Sequence, residues 1–439
     1  MKDTGLSRRF SSMNKQEKTG DYLWFGLFLI LVAVSSVIWF EYCGRVSIKS
    51  DGSLYYEYFT RLFITCNLSE SGLIKYPVGT TLLQLPFLIV AYAISSAFGI
   101  DLKGGTNALF QYAVFAAALF WCLFAFILIY RFLRKKYLTS ASILCCFCLF
   151  YGTMLPVYIT EKASFSHAYG FFTCTAFWVY LSYYEENRKK KSILSALVLD
   201  LLLGALLGFC AIIRNTNVII GAAYVFYCVD SFQALRKRIK TLVSTCLILQ
   251  VIGFLVIYGI QMIFWKKMTN SWILYSYVGE AFSNLTKPKI LSVLFSDSKG
   301  LFIFCPILMI AVISMICFRE ENKEYRVAQW IIFFGVTYII SAWWCWWLGT
   351  AYGERVFCDV LCIFALPLAA FYEKLHEWRK ELSDENTTKM DIKPIFCYVI
   401  SIAFVMLNMS LIYATSIGAV SDNLATWYEL RSFLTSIGR

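Results

Sequence analysis

Charge is scarce in this chain. Only 15% of its 439 residues are Asp, Glu, Lys or Arg, against about 25% in an ordinary soluble domain, so there is too little charge to cover a water-facing surface. Proline is scarce too, with seven in all, so long helices can run uninterrupted. The apolar runs lack the two-residue alternation of a lipid-facing barrel, which excludes transmembrane strands. No basic stretch is both long and interleaved with aromatics, so the net charge of +12 does not point to nucleic acid. No internal repeat is visible, which removes support for an inverted-repeat transporter. The run CCFC at 145–148 has the form CxxC, but it has neither a second pair nor a nearby His, so a metal or redox role has no support.

Hydrophobic residues make up 59% of the chain, and apolar runs of 18 or more residues recur along its length, each long enough to cross a bilayer as a helix. The expected fold is all-α, a single integral membrane domain over 1–439. Sixteen cysteines would suggest disulfides in a short secreted chain, but only Cys43 and Cys66 lie in a hydrophilic segment. Their spacing alone does not establish a bridge. Lys2, Arg8, Arg9, Lys15 and Lys18 precede a first run with no clear cleavage site, which reads as a retained span.

Apolar segments fall near 22–40, 80–98, 107–130, 139–157, 169–184, 192–213, 218–231, 241–264, 301–318, 327–347, 357–372 and 395–417. If all twelve cross with the N-terminus inside, 16 cations fall inside and 24 outside. That reverses the usual bias toward cytoplasmic Lys and Arg. If segment 80–98 enters and leaves from the outer side, or lies in the interface, the count becomes 25 inside and 15 outside. The second arrangement predicts about 11 transmembrane helices plus one membrane-embedded or interfacial segment. It places a multi-pass protein in the cell membrane, N-terminus cytoplasmic and C-terminus outside. It also gives a large first outer loop, 41–106, and a second long outer loop, 265–300.

The unusual polar residues then collect on the outer side. Asp51 precedes a Gly at a turn position, and the following YYEYF carries Glu57 on a short amphipathic helix. The short loop TEKASFSHAY holds Glu161, Lys162 and His167. Arg214 breaks a pair of spans in IIRNTN, and a guanidinium at membrane depth requires an interior partner or a phosphate. Tyr352, Glu354 and Arg355 follow Gly349 in a loop too short to leave the membrane surface, while Trp343, Trp344, Trp346 and Trp347 suit an interfacial belt. Asp200 lies inside a span and needs a partner that the sequence does not name. Carboxylates beside guanidiniums make acid/base chemistry next to an anion site.

Together SDGSLYYEY, YPVGTTLLQLPF, EKASFSHAYGFF, IIRNTN, LFSDSKGLFIFCPIL and WWLGTAYGERVF resemble, in their order, the GT-C superfamily of polytopic glycosyltransferases. Protein O-mannosyltransferases and the lipid A aminoarabinose transferase belong to it. The resemblance implies transfer of a sugar from a polyprenyl-phosphate carrier to a glycan, lipid or protein acceptor at the outer face, inverting, with membrane lipids as surroundings. It implies Asp51 as general base and Glu161 as a second acid, with Glu57 as a further candidate. It implies Arg214 and Arg355 on the carrier phosphate, with Lys162, His167 and Tyr352 as further substrate contacts. The adjacent acid pair carried by many relatives is absent, because Gly52 follows Asp51. The metal is therefore unassigned: no cofactor is demanded, and a divalent cation stays open. No DxD signature accompanies the inner cations, which argues against a nucleotide-sugar donor. A transporter or flippase of lipid-linked or small solutes, or a glycan polymerase or ligase, is the alternative.

Overall fold

A computed structural model describes residues 15–70, 72–244, 247–384 and 392–437. Among them every regular element is helical. The N-terminal cations Lys2, Arg8 and Arg9 lie outside the described residues, as do residues 385–391.

Among the described residues, six helices are by length and composition able to cross a membrane: Gly20–Tyr42, Gly79–Ala97, Lys103–Leu133, Ile193–Ile213, Leu247–Thr269 and Lys393–Ser416. Thr139–Tyr151, Ile307–Cys317 and Arg326–Ala342 are shorter and apolar. Between lipid-facing helices no hydrophobic force acts, so close approach depends on small residues. Gly204 and Gly253 supply it where Ile193–Ile213 meets Leu247–Thr269. A Cβ on Gly204 would lie 1.8 Å from the Gln250 carbonyl oxygen, and one on Gly253 would lie 2.1 Å from that of Leu201.

The helices share two ends with different chemistry. One end gathers the cation-rich turns, where Arg134 pairs with Asp21 at 2.6 Å, Lys135 with Glu186 at 3.1 Å, Lys136 with Glu324, and Arg238 with Glu185. Asp200 finds its partners near this end. Arg188 Nε and Nη2 donate to its carboxylate at 2.9 and 2.8 Å, and Tyr184 and Gln250 donate as well. The opposite end holds a cavity.

Segment 43–107 leaves the cavity end and returns to it. Ser47 Oγ donates to the Gln111 carbonyl at 2.9 Å, and Tyr56 OH to that of Gly105 at 2.6 Å. Within this segment Gly79–Ala97 is one unbroken helix despite Pro86. It runs antiparallel to Ala108–Leu133. Its Leu83 carbonyl accepts from Trp121, halfway along that helix, whereas its Ser95 hydroxyl accepts from Asn107 at the N-cap. The stretch before Gly79 therefore descends without helix and the helix climbs back. Irregular backbone is tolerated at depth where protein covers it: the Val78 N–H donates to Gln261 Oε1 at 2.7 Å and the Tyr76 carbonyl accepts from Tyr58 OH at 2.9 Å.

After Ile213 the chain breaks. Arg214 is extended, with φ −152° and ψ 129°, and the next span begins as the 3₁₀-helix Asn215–Gly221 followed by Ala222–Val225. The larger rise of a 3₁₀ turn, about 2.0 Å per residue, lets this short segment travel far along the bundle.

Candidate active site

A cavity of roughly 350 Å³ opens at the end away from the cation-rich turns. Local structure explains what faces it. The helix Asp51–Phe59 starts after Ser50 at φ 50°, a left-handed turn that L-residues adopt at a cost. Gly52 lets the first turn dock, since a Cβ there would fall 1.8 Å from Ser164 Oγ. Ser164 is itself fixed by donating to the Ser47 carbonyl at 2.6 Å. This docking turns Asp51 toward Arg355, whose Nη2 donates to Asp51 Oδ2 at 2.6 Å.

Arg355 caps the one-turn helix Val356–Asp359 and sits over the Phe165 ring at 5.4 Å. Its side chain is 9% exposed, whereas that of Asp51 keeps 35%. Burial raises the Asp51 carboxyl, but the Arg355 charge and hydrogen bond, with Tyr76 and Lys75, outweigh it and hold the group below the usual carboxylate range. Arg214 reaches the same cavity from its helix break. Its Nε lies 3.6 Å from Asp359 Oδ2 and its Nη1 lies 3.5 Å from His167 Nε2, while His167 Nδ1 contacts Asp359 Oδ1 at 2.7 Å.

Of the residues singled out in the sequence, Asp51, His167, Arg214 and Arg355 line one cavity. Trp343 and Trp344 line it too, while the remaining candidate acids and substrate contacts lie outside its lining. Glu161 accepts from Trp39 Nε1 at 3.1 Å, and Glu57 pairs with Arg61 one turn later at 2.6 Å. Lys162 Nζ donates to the Thr350 carbonyl at 3.0 Å and pairs with Asp422 at 3.3 Å. Burial lowers the proton affinity of Lys162, against the pull of Asp422. Tyr352 is buried, donating to Asn408 Oδ1 at 3.0 Å while its N–H reaches Tyr158 OH at 3.1 Å. Glu354 is buried with no hydrogen-bond partner among the described residues, and burial pushes its carboxyl far above the usual range against Lys299 and Arg355. Cys43 and Cys66 are both free thiols.

Other lining residues were not legible as site residues. Lys75 precedes the quoted YPVG run, pairs with Glu280 of loop 265–300, and lies 5.3 Å from the Tyr76 and Tyr277 ring centres. Tyr55 stacks on Tyr76 at 4.5 Å, and Tyr277 meets Trp343 edge-on at 5.8 Å. Loop 265–300 is docked by backbone bonds from Asn284 to Ala342 and from Lys289 to Ser341, both 3.0 Å. Asp359 sits inside the apolar run VFCDVLCIF, where no local pattern marks it.

Chemically, the cavity offers the partly exposed carboxylates of Asp51 and Glu280 together with the guanidiniums of Arg355 and Arg214. Among the described residues no three His, Cys, Asp or Glu side chains converge to hold a metal. Asp51, Asp359 and Glu280 each face a cation.

No family model matches the chain, and no curated protein shows significant similarity to it. Solved structures do match. ArnT from Cupriavidus metallidurans, bound to undecaprenyl phosphate, superposes with a TM-score of 0.56 at 12% identity, over 89% of this chain and 71% of that one. The oligosaccharyltransferase AglB from Archaeoglobus fulgidus, in complex with an inhibitory peptide and a dolichol-phosphate, gives 0.53 at 12% identity over 92% of this chain. The chain spans only 56% of the length of that archaeal protein. At such identity the likeness shows a shared fold alone.

Proposed function

We propose that this chain is a membrane glycosyltransferase that moves a sugar from a polyprenyl-phosphate carrier to an acceptor hydroxyl at the outer face. The observation that carries the reading is the Asp51–Arg355 ion pair beside Arg214 in one cavity, at the end of the bundle opposite the cation-rich turns. The carrier-bound occupants of its structural neighbours support the same substrate class.

In this reading the acceptor oxygen attacks the anomeric carbon as the bond to the phosphate oxygen breaks. The carrier phosphate leaves with the bonding electron pair, and Asp51 takes the hydroxyl proton. Direct displacement inverts the anomeric centre. A hydroxyl is a poor nucleophile unless its proton leaves as attack proceeds, and a well-placed base supplies about 10²- to 10⁴-fold. Arg355 and Arg214 hold the phosphate and neutralise the charge it gains on leaving. While Arg355 holds Asp51, the carboxylate is a weak base. A phosphate that draws Arg355 away leaves the carboxylate more basic at the moment the donor is in place.

Mass spectrometry of the cell envelope with and without the gene tests the proposal. A sugar missing from a glycan, lipid or protein in the deletion, restored by the wild type and not by Asp51→Asn, is the expected result. An unchanged envelope under conditions where the protein is made would sink it.

A further inference from the structure

Four residues beyond Arg355 lies a carboxylate whose surroundings exceed what packing requires. Asp359 is fully buried at the end of the helix Val356–Asp359. A lone carboxylate there would be costly, and an apolar residue of similar volume would fill the space at less expense. Instead one oxygen receives His167 Nδ1 at 2.7 Å and the other faces Arg214 Nε at 3.6 Å. The short contact makes Nδ1 the protonated ring nitrogen and leaves Nε2 as an acceptor. That acceptor faces Arg214 Nη1 at 3.5 Å. Two acceptors thus hold one guanidinium from behind.

The distances separate the two arginines. Arg355 spends a short bond of 2.6 Å on Asp51. Arg214 is held at 3.5–3.6 Å, an ion pair too long for a full hydrogen bond, so its N–H groups retain their capacity for a ligand in the cavity. Gly170 completes the arrangement, because a Cβ there would sit 2.5 Å from Asp359 Cγ and within 2.9 Å of both its oxygens. The carboxylate occupies the space of a missing side chain. Arg355 and Asp359 bracket the same helical turn, so one rigid element sets both guanidiniums.

We propose that Asp359 is a positioning residue for the carrier phosphate, acting through His167 and Arg214. This rests on the reading of the cavity as a polyprenyl-phosphate site. Asp359 touches no reacting atom; it fixes the imidazole tautomer and aims Arg214.

The test is titration of the purified full-length protein in detergent with undecaprenyl phosphate, and in parallel with the phosphate-free polyprenol. Asp359→Asn keeps size and removes the charge, whereas Gly170→Ala displaces the carboxylate and keeps the charge. Both are expected to weaken binding of the phosphate about tenfold, as loss of an aimed charge-assisted contact does, with polyprenol binding unchanged. In transfer assays the donor KM should rise, and kcat should fall less than in Arg214→Ala, because Arg214 also neutralises the leaving phosphate. Wild-type phosphate affinity in both variants overturns the inference, as does a parallel loss of polyprenol binding, which marks a collapsed cavity. If Asp359→Asn does not fold, Gly170→Ala carries the test alone. A wild type that binds no undecaprenyl phosphate refutes the carrier reading itself, a result separable from equal binding by wild type and variants.

Discussion

Asp51 and Arg355 neutralise one another in an ion pair, and under the proposed function this couples the base to the anion site. Asp51→Asn removes the proton acceptor and keeps the shape, so turnover should fall about 10²- to 10⁴-fold with undecaprenyl phosphate binding preserved. Glu57→Gln and Glu161→Gln should change turnover far less, because their carboxylates are engaged with Arg61 and Trp39 outside the cavity. Large losses there with an active Asp51→Asn protein would reassign the base. Arg355→Ala makes a second, opposite test. Burial raises the Asp51 carboxyl and Arg355 is the main force holding it down, so removing Arg355 leaves burial to act. The acid limb of kcat/KM against pH should move to higher pH in Arg355→Ala. The loss of a charge-assisted bond to phosphate should also cost about 1.5 to 3 kcal/mol of donor binding. Arg355→Lys should recover only part, since an ammonium cannot form the planar fork. An unmoved acid limb would separate the two groups.

Among the elements, glycines decide the close approaches. Gly52→Ala drives a methyl into Ser164 and must shift the first turn of Asp51–Phe59. It should lower turnover well below wild type with only a small change in thermal midpoint, because the displaced group is the proposed base. Gly253→Val, by contrast, forces apart Ile193–Ile213 and Leu247–Thr269 and should lower the thermal midpoint by several degrees. The same elements show what the sequence makes legible. Helical spans are read from apolar length, and Arg214 stands out because a guanidinium interrupts an apolar run. Asp51 stands out as a carboxylate before a glycine in a polar loop. Asp359 is hidden because one acid among VFC and VLCIF does not break the apolar pattern. Lys75 and Glu280 are hidden because their meaning lies in a contact across 205 residues, which no local pattern encodes.

At the scale of the whole molecule, the separation of cation-rich turns from the cavity argues for sidedness. With native exposed thiols removed, a cysteine at position 103 should react with an impermeant reagent applied outside, and one at position 190 only after permeabilisation. Labelling of position 190 in intact cells would overturn the orientation. The cavity draws its parts from far along the chain: Asp51 near one end of it, Arg214 in the middle, Arg355 late. Later still, Asp422 is clamped by Lys162, and Lys299 donates to the carbonyls of both Ala351 and Asp422. These bonds tie the stretch after the last long apolar helix to the loop carrying Arg355. The consequence is one of timing. A nascent chain threading into the bilayer span by span owns a base long before it owns a complete anion clamp, and that loop lacks its anchor until residue 422 has emerged. Under the proposed function, a chain stalled or clipped before residue 422 should therefore turn over no carrier.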